Sequence, residues 1–207
     1  MILSRAILIS TVFIFFGCAA SSGGMNEIPE YGHLEKTSDL KEADQKFIRM
    51  SREQYGDSAS YIYAQYGWNC IRNRQARVAI RRFNQSWLLD STNYKPYWGF
   101  AVALGKLGKY EESIHYYEIA LKKGGDEKII IPEYALVLWE YSLRSSNSVK
   151  KKKAEELLNG EINKGNDKAS CIYAYALTLE RRNGDACRAI KKCPDDLDGI
   201  SAKLKCQ

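Results

Sequence analysis

The sequence repeats itself with a period of about 34 residues between positions 60 and 125. Displacing the chain by one period places Tyr63 on Tyr97 and Phe83 on Tyr117, so that bulky residues align with bulky residues. A fixed period of this length is typical of helical-repeat arrays, in which each unit buries its apolar face against its neighbours. The repeat therefore predicts an all-α fold made of stacked helix pairs.

The second unit shows the helical pattern most clearly. Its bulky and small positions recur at spacings of three and four residues on both sides of a break at Gly108, and they are Tyr97, Phe100, Ala101, Leu104, Tyr110, Ser113, Tyr117 and Ala120. This pattern resembles the tetratricopeptide repeat (TPR), a helix-turn-helix unit. The resemblance implies a TPR-like α-solenoid of antiparallel helix hairpins over residues 38–207. The first unit has Arg74 where the family has glycine, so we expect that turn to close differently.

The register shifts after the second unit. An insertion at residues 124–131 separates it from a helix that Pro132 should begin, because proline is favoured in the first helical turn. Two further hairpins are expected, with turns at 145–148 and 183–185. Helices over about residues 39–55 and 196–205 are expected to cap the two ends of the array, as terminal repeat units must.

Residues 1–17 have the features of a signal peptide. Their apolar run of about a dozen residues is shorter than the roughly 20 that a transmembrane helix needs. The sequence Phe15-Phe16-Gly17-Cys18 resembles a bacterial lipobox, which implies that Cys18 carries palmitate-like acyl chains and begins the mature protein. The alternative is an ordinary cleavage site with an incidental cysteine. Residues 18–37, rich in Ser and Gly at their start, are expected to form a flexible tether.

The residue after the lipobox cysteine is Ala19. By resemblance to lipoprotein sorting, an alanine there favours the outer membrane, with the folded part facing the periplasm. Attachment to the membrane would then depend on the lipid, because several buried acyl methylenes make a stable anchor.

The cysteines indicate an oxidising compartment. Cys70 aligns with Leu104 of the second unit and is expected to be a buried thiol. The last four cysteines can pair in three ways, and equal distances from the hairpin turns favour Cys171–Cys193 and Cys187–Cys206. A four-thiolate zinc site is the alternative, although the closely spaced cysteine pairs typical of such sites are missing.

Neither catalysis nor nucleic-acid binding is indicated by the sequence. We found no phosphate-binding glycine loop and no recognised nucleophile or metalloprotease motif, so no enzyme activity, cofactor or metal is expected. The net charge of +6 is too modest to require nucleic acid. Two basic runs, Arg77 with Arg81 and Arg82, and Lys150–Lys153, are either a solvated outer face or a contact for anionic phospholipid heads.

Aromatic and basic residues concentrate on the first helix of each unit. In the family, residues of this helix outside the packing pattern line a partner-binding groove. Transferred by register, the resemblance assigns the groove to Tyr61, Trp68, Arg72, Lys95, Trp98, Val102, Lys106 and Trp139. The alternative is that Trp98 and Trp139 pack against neighbouring helices.

These features together predict a lipid-anchored periplasmic scaffold that binds one or more envelope proteins through a TPR groove. The partner is expected to present an extended or helical segment that is apolar and tolerates basic residues. The alternative is a structural or lipid-engaging envelope protein without a specific groove, in which the lysine run matters and the aromatic residues do not.

Overall fold

The computed structural model describes residues 24–193, which form nine α-helices, three short 3-10 helices and no β-strand. The α-helices are α1 Ser38–Tyr55, α2 Ala59–Arg72, α3 Ala76–Leu89, α4 Tyr94–Lys106, α5 Tyr110–Lys122, α6 Glu127–Ser145, α7 Ser148–Asn163, α8 Asp167–Leu179 and α9 Asn183–Ile190. The expected all-α class is confirmed. The signal peptide, Cys18, Cys206 and the expected helix at 196–205 lie outside the described residues.

The helices pack in consecutive pairs, α2 on α3, α4 on α5, α6 on α7 and α8 on α9. Each pair also contacts the next one, and the first helices of successive pairs meet, α2 with α4 and α6 with α8. Helix α3 begins at Ala76 and α5 begins about 34 residues later at Tyr110, as the repeat period predicts. None of the helices within residues 24–193 is long and apolar enough to cross a membrane.

One apolar core runs along the array from α2 to α9. At its first layer the Phe83 ring of α3 is fully buried and packs edge-on against Trp68 of α2 and Phe100 of α4, with ring centroids 5.3 and 6.2 Å away. Gly67 and Gly99 leave space for this ring, since a Cβ at either position would lie less than 3.0 Å from its atoms. The small residues of the repeat therefore allow close approach of helices around a large neighbour.

The turn of the first unit closes in the same way as that of the second, contrary to expectation. Arg74 has a φ of 59° and Gly108 a φ of 74°, both in the left-handed region. In each turn the next backbone N–H donates to a carbonyl five residues earlier, Gln75 to Cys70 at 2.9 Å and Lys109 to Leu104 at 3.0 Å. In both turns a residue in the left-handed conformation ends the helix. This conformation costs an arginine roughly 1–2 kcal/mol, and the hydrogen bonds of the turn hold Arg74 in it.

Helix α6 begins at Glu127, five residues before the proline that was expected to begin it. Pro132 has no N–H, so the carbonyl of Lys128 lacks its normal donor within the helix. The buried Asn166 supplies one, because its Nδ2 donates to the Lys128 carbonyl at 2.8 Å and to Glu161 at 2.9 Å. An interior proline is therefore accommodated by a side chain from the turn between α7 and α8.

Residues 24–33, which were expected to belong to a flexible tether, are folded against α3. They form the 3-10 helices Met25–Glu27 and Pro29–His33, and we call this segment the strap. The fully buried Asn84 of α3 donates through Nδ2 to the backbone carbonyls of Asn26 at 2.9 Å and Ile28 at 2.8 Å. The acceptors are backbone carbonyls, which every residue has, so the composition of the segment did not indicate these hydrogen bonds.

Ion pairs and rings add to the attachment of the strap. Glu27 pairs with Arg81 and with Arg77, 3.6 Å away, and the Tyr31 ring lies 6.3 Å from that of Trp87. Hydrogen bonding to Arg81 is the main cause that lowers the pKa of Glu27. Two arginines of the first basic run are therefore committed to the strap.

A disulfide closes the last described hairpin. Cys171 of α8 is joined to Cys193, beyond the end of α9, with Cα atoms 4.9 Å apart. This is one of the two expected pairings. Cys187 is also disulfide-bonded, whereas the pairing with Cys206 falls outside the described residues. Cys70 is a free thiol, half-buried rather than fully buried, and packs against the core.

Candidate functional site

Seven of the eight predicted groove residues lie on α2 and α4, with side chains that are exposed or half-buried. The rings of Trp68 and Trp98 are packed together with centroids 4.2 Å apart and planes inclined at 51°. Next to them the Lys95 ammonium lies 5.1 Å from the centre of the Tyr61 ring, which is 48% exposed. Helices α2 and α4 thus present a joint aromatic and basic surface, with Arg72 exposed at the end of α2.

Trp139 does not belong to this surface, and its assignment to the groove is wrong. Its side chain is fully buried and packs in the core, where its ring centroid lies 5.9 Å from that of Tyr173. The Trp139 indole N–H has no acceptor among the described residues. The error follows from the register shift after the second unit, which removed the basis for transferring groove positions onto α6.

Glu133 of α6 is a residue of this site that sequence reasoning missed. Its carboxylate accepts a hydrogen bond from Trp98 Nε1 at 2.7 Å and pairs with the Lys168 ammonium at 2.6 Å. One carboxylate thereby connects α4, α6 and α8. Trp98 and Lys168 each lie 35 positions from Glu133 in the sequence. Contacts over this distance can be identified only once the stacking of the hairpins is known.

A cleft of about 450 Å³ opens between α4, α6 and α8 beside this carboxylate. Its apolar walls are Val102, Leu136, Val137 and Ile172, and its polar groups are Lys106, Tyr110, Tyr117, Glu133, Glu140 and Tyr175. Two predicted groove residues, Val102 and Lys106, line it directly. The volume lies within the range of pockets that bind small ligands or single side chains of a partner.

The cleft contains two carboxylates and one ammonium group, those of Glu133, Glu140 and Lys106. Glu140 forms no ion pair within residues 24–193, and burial raises the pKa of its carboxyl group against the opposing effect of Arg144 and Lys106. Tyr117 is 2% exposed, and burial together with the charges of Glu133 and Glu140 raises the pKa of its phenol. Both shifts arise mainly because burial disfavours the charged form of an acid.

The second basic run is mostly engaged in ion pairs with the protein itself. Lys151 pairs with Glu180 at 2.8 Å, and Lys153 lies 3.7 Å from Glu118 and donates to the Tyr134 hydroxyl at 2.9 Å. Lys152 lies 3.8 Å from Glu156 on the exposed side of α7. The run therefore offers less free positive charge to a phospholipid surface than its sequence indicates.

Within the described part of the chain, no group of three or more His, Cys, Asp or Glu side chains is arranged to hold a metal ion. Comparison of the chain with models of known protein families, with characterised proteins and with solved structures gave no match. The function is therefore inferred from the geometry of this surface.

Proposed function

We propose that the protein is a lipid-anchored periplasmic scaffold of TPR-like helical repeats that binds another envelope protein on the face formed by α2, α4, α6 and α8. The observation that carries this proposal is the continuity of that face. Trp68 packs against Trp98, Trp98 donates a hydrogen bond to Glu133, and Glu133 lines the cleft. Aromatic, apolar and charged groups therefore form one surface. Partly exposed tryptophan and tyrosine beside a concave apolar pocket are the residues that dominate protein interfaces.

The repeat architecture of this proposal is supported by packing and spacing. Consecutive pairs contact each other in chain order, and two of them repeat at the period of about 34 residues. In such arrays the first helices face one side and form an extended binding surface. The contacts of α2 with α4 and of α6 with α8 agree with that arrangement.

The strap supports a short connection to the membrane if Cys18 is acylated. Residues 24–33 are bound to α3, so the chain between Cys18 and Gly24 can span at most about 20 Å when fully extended. The folded domain would then stay close to the bilayer on the α3 side. The strap packs on α3, whereas the cleft is lined by α4, α5, α6 and α8, so the strap does not cover the cleft.

A site-specific crosslink tests the binding face. A photo-crosslinking amino acid is placed at Lys106, on the cleft, or at Val149, which is 76% exposed at the start of α7. We expect a specific protein to be captured in cells from position 106 and not from position 149. The captured protein, purified, should bind the Trp98→Ala variant at least about tenfold more weakly than wild type, and Val149→Ala equally well.

Circular dichroism of the variants checks that helicity is kept, and Tyr61→Ala is a second variant that changes a side chain 48% exposed on α2. Capture of the same proteins from both positions, or undiminished binding by both Trp98→Ala and Tyr61→Ala, would contradict the proposed face. Acylation is tested separately, since Cys18→Ser should release the protein from the membrane fraction.

A further inference from the structure

We propose that the cleft between α4, α6 and α8 takes a basic side chain, lysine or arginine, from the partner segment. Its aliphatic part would lie against Val102, Leu136 and Ile172, and its charged end would meet the carboxylate of Glu140. This inference rests on the proposed function and specifies the chemistry that the partner presents. It concerns one recognition position and leaves the rest of the partner sequence open.

The charge of the neighbouring groups selects the basic occupant. Glu133 already bonds to Trp98 and Lys168, whereas Glu140 has no ion pair among residues 24–193. Arg144, the nearest possible partner on α6, lies over the Tyr110 ring at 5.1 Å. Glu140 is therefore the carboxylate in the cleft that is left for an external cation.

Other occupants fit this cleft less well. An acidic side chain or a chain terminus with a carboxylate would be attracted by Lys106 but repelled by both Glu133 and Glu140. An apolar side chain would remove the remaining water from Glu140 without giving it a partner, and burying an unpaired charge is costly. A basic side chain avoids both effects, because its apolar stem covers the walls while its end pairs with the carboxylate.

An aromatic ring of the cleft favours the same occupant. Tyr175, which is 36% exposed, lines the wall, and cations bind favourably against tyrosine rings. Burial raises the pKa of Glu140 although the charges of Arg144 and Lys106 oppose the shift, and neither cation forms an ion pair with it. Lys106, which also lines the cleft and is exposed, opposes a bound cation and should weaken its binding.

Two small probes of nearly equal shape isolate the charge. n-Butylguanidinium is positively charged, whereas n-butylurea is neutral, and both resemble an arginine side chain in size. Each is titrated into the isotopically labelled protein, and the backbone amide signals of Val137 and Ile172 report on the cleft by NMR. We expect butylguanidinium to bind about tenfold more tightly than butylurea.

Three variants attribute this preference to the cleft. Glu140→Gln should reduce the preference for the cation to less than about twofold, and Lys106→Gln should increase it. Glu156→Gln, which changes an exposed carboxylate on α7, is the matched control and should leave the preference unchanged. The amide spectrum of each variant shows whether its fold is retained.

Equal binding of the two probes to wild type, or a preference that survives Glu140→Gln, would overturn the inference. Such a result would leave the proposed function intact, because the crosslink from position 106 does not depend on the charge of the partner. Conversely, failure of the crosslink with a normal preference for butylguanidinium would identify a cation site that no protein partner uses. That outcome would overturn the assignment of the cation to a partner segment.

Discussion

Replacing Gly99 by alanine should destabilise the protein, although alanine is the better helix former. The added Cβ would lie less than 3.0 Å from the Phe83 ring. That ring is fully buried between Trp68 and Phe100, so it cannot move aside without displacing its neighbours. Overpacking a core costs about 1–3 kcal/mol, and the upper end applies to a ring held on both sides.

The expected net effect follows from two opposing contributions. Gain of helix propensity on changing glycine to alanine offsets about 1 kcal/mol, which leaves a net loss of about 2 kcal/mol. The matched control is Gly160→Ala on α7, because a Cβ at that position has no atom within 4 Å. The control should be stabilised by up to about 1 kcal/mol, so the two variants should differ by about 3 kcal/mol.

Urea denaturation followed by circular dichroism measures both free energies of unfolding. The variant Gly99→Ala is also made in a Phe83→Leu background, where a smaller side chain leaves space for the added methyl group. The cost of the alanine should fall there by at least about 1 kcal/mol, as expected for residues in contact. If Gly99→Ala were as stable as Gly160→Ala, or if its cost were the same in both backgrounds, the proposed packing would be refuted.

Three further changes test other features of the structure. Asn166→Ala should lower the free energy of unfolding in urea by about 1–3 kcal/mol. The loss should be smaller in a Pro132→Ala background, because the backbone N–H of Ala at that position can donate to the Lys128 carbonyl. Equal losses in the two backgrounds would contradict the role of Asn166. Asn84→Leu should increase amide hydrogen exchange in the strap at least about tenfold without changing exchange in α6, and unchanged protection would show that the strap is held otherwise. The pKa of Glu140 is raised by burial, so its contribution to stability is complete at low pH and is lost as pH rises through the folded-state pKa. Glu140→Gln should therefore stabilise the protein at pH 7 and lose this advantage near pH 4, and an equal advantage at both values would exclude the explanation.

The strap and the basic runs show how tertiary contacts change the meaning of a charged sequence. Arg77 and Arg81 pair with Glu27, which lies 50 and 54 positions earlier in the chain. Lys151 pairs with Glu180, just after α8, and Lys153 pairs with Glu118 of α5. The positive charge is therefore partly neutralised within the protein, which makes the lipid-engaging alternative less favourable than a groove that binds a partner.

The Trp68 and Trp98 positions could be predicted because they lie within the two units that repeat cleanly. They are 30 residues apart and so occupy different positions of the repeat, and their contact across α2 and α4 arises from the packing of the two helices. Trp139 could not be placed in the same way, because the insertion before α6 breaks the register. A tryptophan at a partly apolar helical position is compatible with either the core or the surface, and only packing against Tyr173 decides.

The sequence by itself determined the all-α class and the pairing of consecutive helices, and it favoured the Cys171–Cys193 disulfide among the possible pairings. These features depend on periodicity and on distances along the chain, which are local properties. Only the tertiary structure decided the path of the strap, the donor for the Lys128 carbonyl and the cleft around Glu140. Each of these joins segments that are far apart in sequence, through backbone carbonyls or burial that leave no pattern in the order of residues.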